Sequence, residues 1–220
     1  MIRPDFERYG HIVLNRILPV FDGIGEEACE VERTKLKEWS GGSYFEEDYL
    51  DAAEAAAEHA REEALAYYDT LSAMHLATLN LYAAGLYHLT EQHLINLCLQ
   101  ILDQHGRDEL HFGQVVEWFQ SDLAIDLKAL SSWTRVSELR ALANSIKHGE
   151  GRSAEELRAL RPDLFVHPQF RSEAHSDTWS IGRIRKPLFG EDIYLSREEF
   201  AGYHVATLTF WDELAAAFAA

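Results

Sequence analysis

The stretch Trp133–Phe165, WTRVSELRALANSIKHGEGRSAEELRALRPDLF, decides how this chain is read. Trp133, Val136, Leu139, Ala143 and Ile146 recur at steps of three or four, which places them on one face of an α-helix. Arg140, Asn144 and His148 follow one another at i, i+4 and i+8, a polar stripe along the flank of that face. Gly149 and Gly151 predict the end of the helix. Ser153-Ala-Glu-Glu156 has the Ser-x-x-Glu form of a capping box opening a second, short helix, and Pro162 marks where that helix stops.

Working outward, Ser131 or Ser132 is positioned to cap the Trp133 helix. Upstream, Leu71, Met74, Leu79, Tyr82, Leu86, Leu89, His93, Leu97 and Ile101 form a near-heptad stripe over residues 69–104, widened by Leu94 and Cys98. That width suits the central helix of a bundle. Residues 44–68 are rich in Ala and Glu, with a Ser43–Glu46 capping pattern, and predict a peripheral helix continuous with the next apart from a kink near Asp69. Residues 1–21 predict a first helix weakened at Pro19, and residues 112–119 a short one. Downstream, residues 166–195 lose periodicity and carry Pro168, Pro187, Gly182 and Gly190; Thr178–Ile181 and Ile193–Leu195 suggest a minor pair of strands. Ser196-Arg-Glu-Glu199 is a third capping box, opening a last helix with Phe200, Tyr203, His204, Leu208, Trp211 and Leu214 on or near its apolar side. The expected fold is a mainly α helical bundle with a small irregular or β insertion near 166–195. Three parts result: acidic peripheral helices over 1–68, a helical core over 69–165, and the insertion with a C-terminal helix over 166–220.

At 220 residues the chain can bury a full-sized core, and 47% hydrophobic with 26% charged residues is ordinary for a globular protein. The start, MIRPDFERYG, lacks the apolar segment of a signal peptide. The most apolar stretch, residues 73–89, carries His75, Asn80 and His88, which predicts a buried helix rather than a membrane span. Two distant cysteines, Cys29 and Cys98, fit a reduced, cytoplasmic compartment. The net charge of −17 is unevenly spread: residues 131–190 hold 10 basic and 7 acidic residues, whereas residues 1–70 hold 7 and 17. An acidic body disfavours indiscriminate binding to nucleic acid or membrane, while its one basic region remains suited to a chosen anion. The acidic N-terminal helices suit a basic protein partner.

Eleven histidines raise the question of metal, yet no Glu-x-x-His pair exists to build a di-iron carboxylate site. His88 and His93 lie five apart, on different helical faces, so no metal or cofactor is expected. Phosphate loops, nucleophile elbows and dinucleotide fingerprints are absent. The stripe is the better chemistry. An imidazole with a guanidinium beside it can move protons while the cation stabilises charge building on a phosphate, as metal-free RNA cleavage requires. His148 is then the acid/base, Arg140 the cation and Asn144 the orienting residue, with Lys147, Arg152 and Arg158 as phosphate or RNA contacts. The competing reading makes Asn144 and His148 structural, satisfying backbone groups at a helix C-terminus, where His is favoured by the dipole.

Leu139–Gly151, LRALANSIKHGEG, following a long helix that carries Tyr87-His-Leu-Thr-Glu91, resembles the HEPN superfamily (higher eukaryotes and prokaryotes nucleotide-binding domain). The resemblance implies an all-α bundle, often a homodimer, and for many members a metal-independent ribonuclease of defence or toxin–antitoxin systems. The family's motif is Arg, four to six residues, then His, with Asn commonly beside the Arg. Asn144 and His148 match it; Ala143 stands at the arginine position, and Arg140 is the nearest arginine upstream. The resemblance therefore implies either a ribonuclease drawing its cation from Arg140 or Lys147, or a non-catalytic relative that binds nucleotide, RNA or a partner.

Overall fold

The computed structural model describes residues 2–40, 49–101, 110–171 and 192–219. Among them the chain is mainly α: α1 (Arg3–Ile12), α2 (Ile24–Ser40), α3 (Tyr49–Ile101), α4 (Phe112–Asp122), α5 (Trp133–His148), α6 (Arg152–Leu160) and α7 (Arg197–Ala219), with short 3-10 turns at Leu18–Phe21, Leu127–Ala129, Pro162–Phe165 and Pro168–Phe170. No strand occurs among the described residues. The expected helical bundle is what forms. The Ser43–Glu46 capping pattern and the proposed strand at Thr178–Ile181 lie outside the described residues. Ile193–Leu195 is not a strand; the backbone N–H of Tyr194 donates to Leu164 O at 2.7 Å, and Ile193 and Leu195 are buried.

Two compact units divide the chain, one of Leu18–Leu76 and one of Met1–Ile17 with Ala77–Ala220. The division falls within α3. Residues expected as two helices, 44–68 and 69–104, form one helix of 53 residues, because no Gly or Pro interrupts the run at Asp69.

In the smaller unit, α2 and the first half of α3 form an antiparallel hairpin: Trp39 meets His59, Glu27 accepts from the Tyr67 hydroxyl at 2.9 Å, and Phe21 stacks on His75. Its buried residues are Leu18 before α2, Ile24 and Ala28 on α2, and Ala56, Ala60 and Ala64 on α3. The acidic residues Glu26, Glu27, Glu30 and Glu32 sit on α2.

The larger unit holds the main core. Along α3 the buried line is Leu79, Ala83, Leu86, Thr90, Leu94 and Cys98, rotated slightly from the expected stripe, while Met74 of that stripe is 52% exposed. On α5, Val136, Leu139, Leu142 and Ala143 are buried, and on α7 Phe200, Tyr203, Phe210, Trp211 and Leu214. A run of rings crosses the unit: Phe6 on Trp211, Trp211 on Phe210, Phe210 on Trp133, Trp133 stacked on Phe112, and Phe112 on Tyr87. Gly10 and Gly85 permit α1 to dock. The His204 ring covers Gly10 where a Cβ would sit, its Nε2 2.8 Å from Phe6 O; Tyr9 lies over Gly85 and donates to Tyr82 O at 2.8 Å. The predicted helix over 1–21 relaxes into a π-helical turn at Val13–Ile17 and a 3-10 turn at Leu18–Phe21, since Pro19 cannot continue an α-helix.

Both ends of α5 are set by identifiable groups. Gly149 ends it at φ 68, a conformation glycine adopts without a Cβ penalty, and its N–H donates to Ser145 O at 2.9 Å. At the start, neither Ser131 nor Ser132 caps the helix with its own side chain. Both instead donate to Glu213 of α7, so a tertiary carboxylate replaces the expected local cap. The Ser196 box forms as written: Ser196 N–H donates to Glu199 Oε2 at 2.8 Å and Glu199 N–H to Ser196 Oγ at 3.1 Å. The Ser153 box does not. Gly151 is the N-cap of α6, which places Ser153 too far inside the helix to cap it, and Glu156 is recruited elsewhere.

Candidate functional site

The stripe lies on α5, but its members have different surroundings. Arg140 is half-buried, and its Nη2 donates to both carboxylate oxygens of Glu156, each at 2.9 Å. Asn144 is half-buried, and His148, the last residue of α5, is exposed. Arg140 and His148 lie eight positions apart, about 12 Å of helix rise. Neither Asn144 nor His148 makes a side-chain hydrogen bond to a helix-end carbonyl among the described residues; the Gly149 N–H bond closes the end instead. The position of the family's arginine, Ala143, is 1% exposed and faces the core, so a guanidinium there would be buried.

The basic candidates separate in the same way. Arg158 is forked onto Glu150, with Nη1 donating to Oε1 at 2.6 Å and Nη2 to Oε2 at 2.7 Å, and it lies 5.1 Å over the Phe165 ring. The Glu150 hydrogen bond holds the Arg158 guanidinium above its ordinary pKa, so it stays a cation paired in place. This fork staples the Gly149–Gly151 turn to α6. Lys147 and Arg152 are exposed on either side of that turn, with no ion pair among the described residues. Arg140 and Arg152 are brought together on an open cavity of about 540 Å³, with Ser153, Glu155 and Glu156. His148, Asn144, Lys147 and Arg158 do not line it.

The other stretch that carries the family resemblance comes close to this one. Tyr87 is buried and donates to Glu91 Oε1 at 3.2 Å; burial and the Glu91 charge raise its pKa, against an opposing pull from Arg140. His88, on the exposed side, lies 3.9 Å from Glu91.

A second charged cluster was not legible in the sequence. Arg161 donates to Asp163 from Nε at 2.9 Å and Nη2 at 2.6 Å, to the Tyr203 hydroxyl at 3.3 Å, and also to Glu199. Glu138, 8% exposed, receives Arg135 and lies 3.8 Å from Arg161 Nη1, and Arg135 sits 4.5 Å over the Tyr203 ring. The cluster ties α5, the turn after α6 and α7 together. Burial alone would raise the Asp163 pKa, but the Arg161 hydrogen bond and charge outweigh it and hold the carboxyl below its usual range. Nothing local marks these residues, apart from the Arg161–Asp163 spacing around Pro162.

Among the described residues no group of three or more His, Cys, Asp or Glu is placed to hold a metal ion, and no helix is long and apolar enough to cross a membrane. No known family, curated protein or solved structure matches the chain.

Proposed function

We propose that this chain is a HEPN-like helical protein that binds RNA or nucleotide phosphate without cleaving it, as a partner-binding member of a defence or toxin–antitoxin system. The observation that carries this reading is the division of the cations. Arg140 and Arg158 are held by glutamates, whereas Lys147, Arg152 and the imidazole of His148 stand exposed around the turn between α5 and α6. Exposed cations beside the first turn of a helix suit a phosphodiester. An acid/base pair does not follow from the same geometry: Arg140 lies two turns of α5 from His148. The two cysteines, exposed Cys29 and buried Cys98, fit a cytoplasmic setting, and the family resemblance suggests a homodimer. The acidic α2 suits a basic protein partner.

The test is fluorescence anisotropy of a labelled single-stranded RNA over a salt series, run with EDTA-containing cleavage controls. Binding should weaken on Lys147→Glu and Arg152→Glu, with the log–log salt slope falling by about 0.7 for each phosphate that is no longer neutralised. Absence of binding, or binding indifferent to both changes, would sink this reading. EDTA-resistant cleavage that disappears in His148→Ala would replace it with the metal-independent ribonuclease built on His148 and Arg140.

A further inference from the structure

We infer that Glu156 is an intramolecular competitor for the phosphate that Arg140 binds, so that Arg140 is a masked anion site rather than a structural ion pair. The inference rests on the phosphate-binding reading and adds a second anchor to it, gated by α6.

The two glutamate-held arginines differ in how they are held. Arg158 presents two nitrogens to two oxygens, is 13% exposed and has a ring beneath it. Such a fork has both geometry and burial in its favour. Arg140 presents a single nitrogen to both Glu156 oxygens, and the two side chains are 32% and 36% exposed. Its Nε and Nη1 donate to no protein group among the described residues, and neither is a buried orphan, so both remain open to water. An ion pair with both partners about one-third exposed contributes little and exchanges readily. A phosphate can take the two-nitrogen fork that Glu156 leaves unused.

The cavity supports the same conclusion. Its lining is Arg140, Arg152, Ser153, Glu155 and Glu156, two cations against two carboxylates. With Glu156 in place an arriving anion meets no net attraction. With Glu156 turned away, Arg140 and Arg152 face one remaining carboxylate, and the cavity becomes cationic. The ligand class is a diphosphate or phosphodiester, whose paired oxygens can span both guanidinium groups.

The probe is pyrophosphate, titrated into the ¹⁵N-labelled full chain while the Arg140 Nε–Hε resonance is followed. Glu156→Gln and Glu156→Ala should each bind roughly five-fold tighter than wild type, the scale of one exposed ion pair. Glu155→Gln, which removes a charge from the same cavity but no Arg140 partner, should gain less than about two-fold after screening. The gain should vanish in the Arg140→Gln/Glu156→Gln double variant. A Glu156 effect no larger than that of Glu155→Gln, or one that persists without Arg140, overturns the inference. Circular dichroism establishes that each variant is folded, and either Glu156 variant alone suffices for the comparison. If RNA binding is absent or ignores Lys147 and Arg152 while the Glu156 gain depends on Arg140, the RNA reading falls and the masked site stands.

Discussion

Glu213 on α7 closes the N-terminus of α5 through Ser132: its Oε2 accepts from the Ser132 hydroxyl at 2.6 Å and from the Ser132 N–H at 3.2 Å, while Oε1 takes the corresponding groups of Ser131. A carboxylate here satisfies donors that a helix leaves open and sits at the positive end of its dipole. The helix that carries the candidate site is therefore anchored from a residue distant in sequence.

Glu213→Gln, which keeps one acceptor oxygen and loses the charge, should lower stability by about 0.3–1 kcal/mol at neutral pH, the range for a dipole interaction near the surface, measured by urea unfolding. Hydrogen bonds from Ser131, then Ser132, hold the Glu213 carboxyl below its ordinary pKa. A depressed carboxylate contributes stability that is present above its unfolded pKa, near about 4.3, and lost as pH falls through the folded value. The difference between wild type and variant should thus be full at pH 7 and shrink below about pH 4. A difference that stays constant down to acid would show that the carboxylate charge is not the source.

What the sequence made legible was whatever local chemistry decides. The apolar face of α5, the Gly149 stop and the Ser196–Glu199 box could be read because each depends on residues within one or two turns. The Ser153–Glu156 box had the same wording and failed, because Gly151 starts α6 early enough to leave Glu156 available to Arg140. Periodicity also cannot say which cations are paired. Arg140, Arg152 and Arg158 look alike in sequence; the partners of Arg140 and Arg158, Glu156 and Glu150, are fixed by the turn between α5 and α6. The Arg161 cluster needed three elements to meet, and its Glu138 lies on the margin of an apolar face where a solvated charge would be the ordinary assumption.

Gly10→Ala should destabilise by about 1–3 kcal/mol, as overpacking does, because the new Cβ would fall 2.2 Å from His204 Nε2. The matched control is Gly113→Ala in the first turn of α4, where a Cβ meets nothing within 4 Å. That change should stabilise by up to about 1 kcal/mol through helix propensity. Thermal unfolding of both variants checks the pair, and equal effects would refute the close packing of α7 on α1.

Arg161→Ala should cost about 3–5 kcal/mol by urea unfolding, since it leaves Glu138, Asp163 and Glu199 around a partly buried site without their common cation. Arg161→Met, which keeps the stem packing, should recover little of this loss. Substantial recovery by Met would mean that the side chain contributes by packing rather than by charge.

Tyr203 allows the same cluster to be probed from the alkaline side. Its side chain is fully buried, and burial pushes its hydroxyl up to about 12, with the Arg161 charge pulling the other way. A group whose folded pKa is raised contributes stability that is whole below its unfolded pKa, near about 10, and lost as pH rises through the folded value. Wild type should therefore lose stability between about pH 10 and 12 more steeply than Tyr203→Phe does. Half-buried Tyr9 and buried Tyr87 are raised as well, and both remain in the variant, so the difference between the two curves isolates Tyr203. Parallel curves would show that the Tyr203 hydroxyl ionises in the fold as easily as in water. That would be incompatible with its place between Arg161 and Glu138, where ionising would set a second negative charge against the carboxylate.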